Sequence, residues 1–393
     1  MNRSGGSDTG RVLFLQYANP AAYPPVVSAS RLLAKAGWRV RILDPGSRDT
    51  ESISFPPEEG VDVVSLAYVP PGWRQKVHYV RYGISALRTA ATWKPQWIYG
   101  SDFIVTPILR CLGLLTGIRI IYHEHDTPSA SQSSFFLNFC MRARRAVARG
   151  AAAVVVPNRE RAAAVEADLG ITPPLLVWNC PTREEVSDDP AQSHDGLRLL
   201  YHGSINDSRV PMTLIQALAL AGDSVTMTIV GYETIHSRGY SEALRREAER
   251  LGVSGRVTVL PSRNRESLES LRLQHDVGIA IVTSAPADLN LAHLAGASCK
   301  VFEYMSAAMV PLVSATNDWK TDFIDPGLAI GCDPGSAESI ASAIQWLREH
   351  PLERREMGAR ARERIADEWN YETQFAPVMS LLDRVMDGTE NDA

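Results

Sequence analysis

Short apolar runs alternate with longer amphipathic stretches from residue 11 almost to the end of the chain. The runs at 11–16 (RVLFLQ), 39–43 (RVRIL), 61–67 (VDVVSLA), 96–100 (QWIYG), 119–122 (RIIY), 152–157 (AAVVVP) and 174–179 (PLLVWN) read as strands. Segments near 26–36, 75–93, 103–115, 135–149 and 160–169 lie between them and carry helical periodicity. Strands that are nearly all apolar and alternate with helices predict a parallel sheet covered on both faces. Residues 180–195 (CPTREEVSDDPAQSHD) break the pattern; they are polar, contain two prolines and read as a linker. A second series follows, with strands at 197–203, 225–231, 256–260, 277–282 and 310–314. Its helices fall near 211–220, 241–251, 266–273, within 296–311, at 337–349 and at 352–367. The predicted fold class is α/β: two Rossmann-like, doubly wound domains in tandem, with a cleft between them. The expected order is a flexible lead-in at 1–10, a first domain at 11–179, the linker at 180–195, a second domain at 196–367 and a closing segment at 368–393.

Composition is compatible with that architecture. The chain has 393 residues, 45% hydrophobic and 22% charged, enough for two domains with sizeable cores. Five scattered cysteines form no paired spacing, which argues against a disulfide framework or a zinc site and fits a reducing cytoplasm. No apolar run approaches the length of a membrane span, and the opening MNRSGGSDTG lacks the apolar core of a signal peptide. The net charge of −5 hides an asymmetry: residues 1–175 hold 20 Lys+Arg against 13 Asp+Glu, and the rest hold 20 against 32. A basic first half invites an anionic acceptor or a membrane surface; attraction between the two halves is the plainer alternative. The segment 138–149 carries Arg142, Arg144, Arg145 and Arg149 next to Phe135, Phe136 and Leu137, a composition that suits a membrane contact or an ordinary solvated face. Neither charge nor aromatic spacing suits a nucleic-acid binder.

In open parallel sheets ligands bind at the carboxyl ends of strands, so the loops there matter most. HEHDTPS at 123–129 follows a strand directly and has four consecutive ionisable residues. Its spacing matches no common zinc signature; it reads as a polar wall in which His125 donates to a phosphate or sugar hydroxyl and Asp126 orients groups, or as a cap with a solvated loop. YHGSINDSRVP at 201–211 runs from a strand through Gly203 to a helix. Gly203 admits close approach to the backbone, and Arg209 can grip a diphosphate through charge-assisted hydrogen bonds. The stretch GASCKVFEYMSAAMVP at 296–311 starts a helix with Ser298 as N-cap and places Lys300 in the first turn. A cation there opposes the helix dipole unless an anion sits in front of it. Glu303, three residues on, can accept hydroxyl hydrogen bonds or simply pair with Lys300 at the surface.

The order of these elements resembles the glycosyltransferases of the GT-B fold, and among them the retaining family 4 (group 1) type. The resemblance rests on YHGSxxxxR and on the run in which Ser298, Lys300, Glu303, Tyr304 and Pro311 match the family's pattern, and it covers nearly the whole chain. It implies a nucleotide-sugar-dependent, anomer-retaining transfer of a hexose-type sugar to an acceptor hydroxyl. Arg209 and Lys300 would stabilise the departing diphosphate, with His125 as the first-domain residue facing the donor sugar. Gly203, Ser204, Glu303, Ser298 and Tyr304 would bind the donor, Glu303 through the ribose, and the loop near 260–263 would hold the base. Asp126, Glu124 and Asn19 are the candidates for the sugar or acceptor side. The closing segment around Trp369–Tyr371 is similar to the tail that crosses back to the first domain in this fold. No metal and no cofactor beyond the nucleotide-sugar co-substrate is implied, since no Asp-x-Asp pair is present and two cations can supply the charge. The chain departs from the pattern at Ala295, where a second glutamate is usual, at Ser204, where an arginine is usual, and at Met309, where a glycine is usual.

Two other functions fit the same fold: a GT-B sugar-nucleotide epimerase and a non-catalytic nucleotide-sugar-binding protein. The first would need acid–base carboxylates beside the sugar; the second would be favoured by Ala295 and Ser204. The acceptor would be a glycan, a lipid-linked or a small molecule, with no nucleic-acid partner. The expected location is the cytoplasm or the inner face of its membrane.

Overall fold

The computed structural model describes residues 10–46, 54–70, 72–128, 134–187, 195–283 and 288–386. Most of the expected lead-in (1–9), Ser129, part of the expected linker (188–194) and the end of the closing segment (387–393) lie outside the described residues. The chain divides into two compact units, one made of Met1–Asn179 with Tyr371–Ala393 and the other of Cys180–Asn370.

The first unit is a seven-stranded sheet, all parallel: β1 (Arg11–Gln16), β2 (Arg39–Asp44), β3 (Val61–Ser65), β4 (Trp97–Ser101), β5 (Arg119–His123), β6 (Ala153–Val156) and β7 (Leu175–Leu176). The spatial order is β3-β2-β1-β4-β5-β6-β7, so the winding reverses between β1 and β4. Helices α1 (Pro24–Lys35), α2 (Trp73–Trp93), α3 (Thr106–Thr116), α4 (Phe135–Gly150) and α5 (Arg159–Leu169) connect the strands. Strand alternation sorts the core into two layers. Leu13, Leu15, Ile98 and Tyr122 bury against α2 and α3, and Val12, Phe14, Trp97 and Tyr99 face the other way. Local chemistry fixes the helix ends. Asn158 Oδ1 accepts from Arg161 N at 2.9 Å to start α5, and Gly170, at φ 61°, closes it.

The second unit repeats the plan: β8 (Leu197–Ile205), β9 (Val225–Glu233), β10 (Val257–Pro261), β11 (Val277–Ala280), β12 (Val310–Ser314) and β13 (Ile330–Cys332) lie in the order β10-β9-β8-β11-β12-β13. Its helices are α6 (Met212–Leu220), α7 (Tyr240–Arg250), α8 (Arg265–Arg272), the short α9 (Leu289–Ala292), α10 (Cys299–Ser306), α11 (Asn317–Trp319), α12 (Ala337–Glu349) and α13 (Pro351–Asp367). Trp369 closes the unit against Phe302 and Phe323. The chain then enters α14 (Tyr371–Met386), whose Tyr371, Phe375, Val378 and Leu382 join the first unit's core beside Val12 and Tyr99.

Some strands are shorter than the apolar runs suggest. β7 keeps two residues of the expected 174–179, on the edge of the sheet, where Pro173 and Pro174 bring no N–H to a ladder. β11 stops at Ala280; beyond it Val282 N donates to the Ser314 side chain, Oγ at 2.8 Å, instead of to strand backbone. β13, only three residues long, was too short for the pattern to reveal.

Candidate functional site

The winding reversal in each sheet parts two neighbouring strands at their carboxyl ends. In the second unit β8 pairs with β11 only at Leu199 and Leu200, while its pairing with β9 continues to Ile205. Tyr304 of α10 fills the split. Its hydroxyl accepts from His202 N and donates to Ile279 O, both at 3.3 Å, joining the two strands where they stop bonding each other. Gly278 is a glycine for the same reason: a β-carbon there would lie 2.0 Å from the Tyr304 ring. Tyr304 is fully buried, which corrects its expected part as a donor-binding side chain; it props the site from beneath.

Above that prop, Lys300 stands in the first turn of α10 and is partly buried. Its ammonium lies 6.0 Å from the centre of the Tyr201 ring and runs over Gly203, whose φ is +130°. Gly231 pairs with Gly203 across the ladder, and a β-carbon on Gly231 would strike the Gly203 carbonyl oxygen at 1.8 Å. Arg209 sits in the turn after β8, its backbone N donating to Asn206 Oδ1 at 3.0 Å. Burial first, and Arg209 second, lower the Lys300 ammonium from its ordinary value. Ser298 takes the N-cap position, yet its side chain makes no capping hydrogen bond. Ser204, partly buried, presents its carbonyl to the Tyr201 hydroxyl at 2.5 Å.

The neighbouring acid is engaged elsewhere. Glu303 Oε2 lies 3.3 Å from His202 Nε2 and 3.6 Å from a terminal nitrogen of buried Arg272. Burial acts to raise the Glu303 carboxyl, but His202, Arg272, Arg265 and Lys300 together outweigh it and hold it below the ordinary value. Burial drives His202 down to about 4, so it is neutral at pH 7. Lys300 and Arg209 therefore act on each other, one at a helix start and one after a strand end, and among the described residues neither forms an ion pair with a carboxylate. That arrangement suits an anion. The expected base loop at 260–263 borders a cavity of about 490 Å³, lined by Leu260, Arg263 and one side of α8.

The corresponding place in the first unit gathers Gln16, Ser101, Asp102 and His125. Tyr82 plays the part of Tyr304 here: its hydroxyl accepts from Gln16 N and donates to Leu43 O, both at 3.0 Å. Ser101 Oγ lies 2.7 Å from His125 Nε2, and the His123 and His125 rings are 4.0 Å apart, centre to centre. His125 is 6% exposed, and its Nδ1 has no hydrogen-bond partner among the described residues. Burial, then Arg161, push His125 down to about 3, which makes it a neutral imidazole at any working pH. Asp102 has φ +71°, in the left-handed region, and donates its N–H to His123 O at 2.9 Å. Burial, reinforced by Asp126 and Glu124, raises its carboxyl to about 7.

Three candidates of the first unit have other tasks. Glu124, 1% exposed, is clamped by Arg144 at 2.5 and 2.8 Å and accepts from the Tyr122 hydroxyl at 2.8 Å, so it is a core ion pair and not a sugar contact. Asn19 Oδ1 caps the short turn Pro20–Ala22 by accepting from Ala21 N at 2.9 Å. Asp126 is exposed and pairs with Arg161 at 3.3 Å, while Arg161 also donates to the His125 carbonyl. Sequence reasoning missed Gln16, Ser101, Asp102, His202 and Arg272. Asp102 left a signal: it is the one acidic residue between 63 and 123 and directly follows a strand.

Two family models together cover most of the chain: the glycosyl transferase 4-like domain at 26–179 and the glycosyl transferases group 1 at 182–364. The chain belongs to the group 1 glycosyltransferases. No curated protein matches this glycosyltransferase. Solved structures share its GT-B fold at low identity. Sucrose-phosphate synthase from Thermosynechococcus elongatus is 17% identical with a TM-score of 0.73, over 97% of this chain and 100% of that one. Anabaena Alr3699/HepE, in complex with UDP-glucose, is 15% identical with a TM-score of 0.72, over 95% and 99%. WaaG, a glycosyltransferase involved in lipopolysaccharide biosynthesis, is 14% identical with a TM-score of 0.64, over 97% and 100%.

Proposed function

We propose that this glycosyltransferase moves a hexose from a nucleotide-sugar donor to an acceptor hydroxyl, with retention at the anomeric carbon, without a metal ion and in the cytoplasm. The acceptor is a glycan, a lipid-linked or a small molecule. The observation that carries the reading is the pair Lys300 and Arg209, two cations that act on each other at the β8–α10 corner, neither in an ion pair with a carboxylate among the described residues. The neighbour crystallised with UDP-glucose supports a nucleotide sugar as the ligand.

In this reading the second unit holds the donor and the first holds the acceptor side. The diphosphate lies over Gly203 and Ser204 at the start of α10, near Ser298, where free helix N–H groups and Lys300 point at the same charge. Glu303, kept ionised, accepts from the ribose hydroxyls. The bond between the anomeric carbon and the leaving phosphate oxygen breaks, and its electron pair departs with the diphosphate. Lys300 and Arg209 stabilise that charge, a contribution of about 3–4 kcal/mol for a preorganised donor of this kind. The acceptor oxygen bonds to the same face of the anomeric carbon, and its proton passes to the departing phosphate oxygen. His125, neutral and with one ring nitrogen unpaired among the described residues, hydrogen-bonds a substrate hydroxyl and takes no proton. The epimerase alternative loses Glu124, which is committed to Arg144.

A thermal-shift screen of nucleotide sugars, followed by proton NMR of the product formed with the best donor, tests this function. A raised melting temperature and a product of the donor's own anomeric configuration are expected. Inversion, or interconversion of the free nucleotide sugars, would sink it.

A further inference from the structure

Nine of the fourteen exposed large hydrophobic side chains among the described residues belong to α2, α3 and α4. On α2 they are Trp73, Val77, Val80 and Ile84, spaced four, three and four apart, so they form one stripe. Leu114 and Leu115 extend it from α3, and Phe135 (92% exposed), Phe136 and Phe139 from α4. The three helices form one surface. Tyr79 and Phe136 stack edge-on at 5.1 Å, and Thr106 Oγ1 donates to Cys140 O at 3.0 Å. A groove of about 290 Å³ runs between them, lined by Val80, Ile84, Leu115 and Phe139 with no charged side chain.

Charge separates this face from an ordinary apolar patch. The three helices carry nine Lys and Arg and no Asp or Glu. The residues that made α4 look basic in the sequence are mostly engaged: Arg144 is buried on Glu124, Arg145 meets Asp168 at 3.3 Å, and Arg149 donates to Leu169 O at 2.9 Å. Arg74, Lys76, Arg81, Arg88, Arg110 and Arg142 remain exposed, and none has an acidic partner among the described residues. Arg74, Arg81 and Arg88 are seven apart and border one side of the α2 stripe.

We propose that the α2–α4 face docks on a bilayer surface containing anionic phospholipid. Trp73, Phe135 and Phe139 enter the headgroup boundary while the flanking arginines extend to the phosphates. No described helix is long and apolar enough to cross a membrane, so the contact is with the surface. A second copy fits less well. A two-fold dimer through this face would press six uncompensated cations against six more, whereas an anionic surface neutralises them. The inference stands apart from the donor chemistry and its test needs neither donor nor acceptor.

Co-sedimentation of the full chain with phosphatidylcholine vesicles, plain or carrying about 30% phosphatidylglycerol, is the test. Pelleting with the anionic vesicles at low salt is expected, falling at least about tenfold at high salt. A comparable fall is expected for Arg74→Glu/Arg81→Glu and for Trp73→Ala/Phe135→Ala/Phe139→Ala. Because these side chains are exposed, both variants should melt with the parent; if one does not, Phe135→Ala alone serves. The proposal is overturned if the parent stays in the supernatant with anionic vesicles, or if it and the variants pellet equally. It is likewise overturned if sedimentation velocity shows a dimer that the triple variant abolishes, or if an acidic polypeptide binds this face and vesicles do not.

Discussion

Lys300 lies directly over Gly203: a β-carbon on the glycine would fall 2.5 Å from Lys300 Cε and 3.0 Å from Nζ. The glycine cannot gain a side chain without displacing the end of Lys300. Gly203→Ala adds that carbon at a φ of +130°, which strains the backbone by about 1–3 kcal/mol and pushes the ammonium away. Calorimetric titration with the nucleotide-sugar donor should show affinity reduced roughly tenfold or more, with the circular dichroism spectrum preserved. Unchanged affinity would separate the glycine from the donor site.

Lys300→Ala removes the charge but not the fold, since among the described residues the side chain makes no ion pair with a carboxylate and its helix is held by Val301, Phe302 and Met305. Turnover should fall about 10²–10³-fold, the usual loss for one preorganised donor to a developing charge. Full activity in an enzymatic assay would remove Lys300 from the mechanism.

Tyr304→Phe should act on stability. Deleting the hydroxyl strands His202 N and Ile279 O in the interior, at a cost of about 1–3 kcal/mol. A lower denaturant midpoint is expected, with the donor affinity of the folded fraction close to normal. The reverse result, a normal midpoint with lost binding, would restore Tyr304 as a ligand contact.

Glu124→Ala distinguishes a core ion pair from a sugar contact in the same way. It leaves Arg144 buried without its bidentate partner, and breaking such a pair costs about 3–5 kcal/mol. Urea unfolding should show a loss of that size. A fully stable protein that has lost acceptor transfer would contradict the assignment.

Asp102→Asn predicts a pH dependence. In the folded protein burial raises the Asp102 carboxyl from its ordinary 3.8 to about 7. Between those values the folded state holds a proton that the unfolded chain has released. The contribution to stability is thus complete below pH 3.8 and is lost as pH rises through about 7. Asparagine tolerates the left-handed backbone and never ionises. The variant should be more stable than the parent at pH 8, and the gap should shrink towards pH 4; a gap constant across melts at several pH values would refute the raised carboxyl.

The periodic pattern of apolar residues determined most of what was legible in advance: the α/β class, nearly every strand and helix, and the two series. Strand burial on both faces leaves a continuous apolar run, and such runs can be read without knowing their neighbours. Motifs carried part of the candidate site. Gly203, Arg209, Lys300 and Glu303 are close in sequence to strand ends or helix starts, so local reasoning reached them. Tertiary structure decided which charges are available for chemistry. Glu124 and Arg144 are twenty residues apart and each looked free, until the packing of α4 on β5 brought them together in the core. Tyr304 stood in the most specific motif and proved to be a prop, because only the sheet's winding reversal shows that two backbone groups there need a partner. The pairing of Glu303 with Arg272 also joins residues distant in the chain. Periodicity records which side chains are buried; the compensation of charge depends on contacts between elements, and only the folded chain makes those.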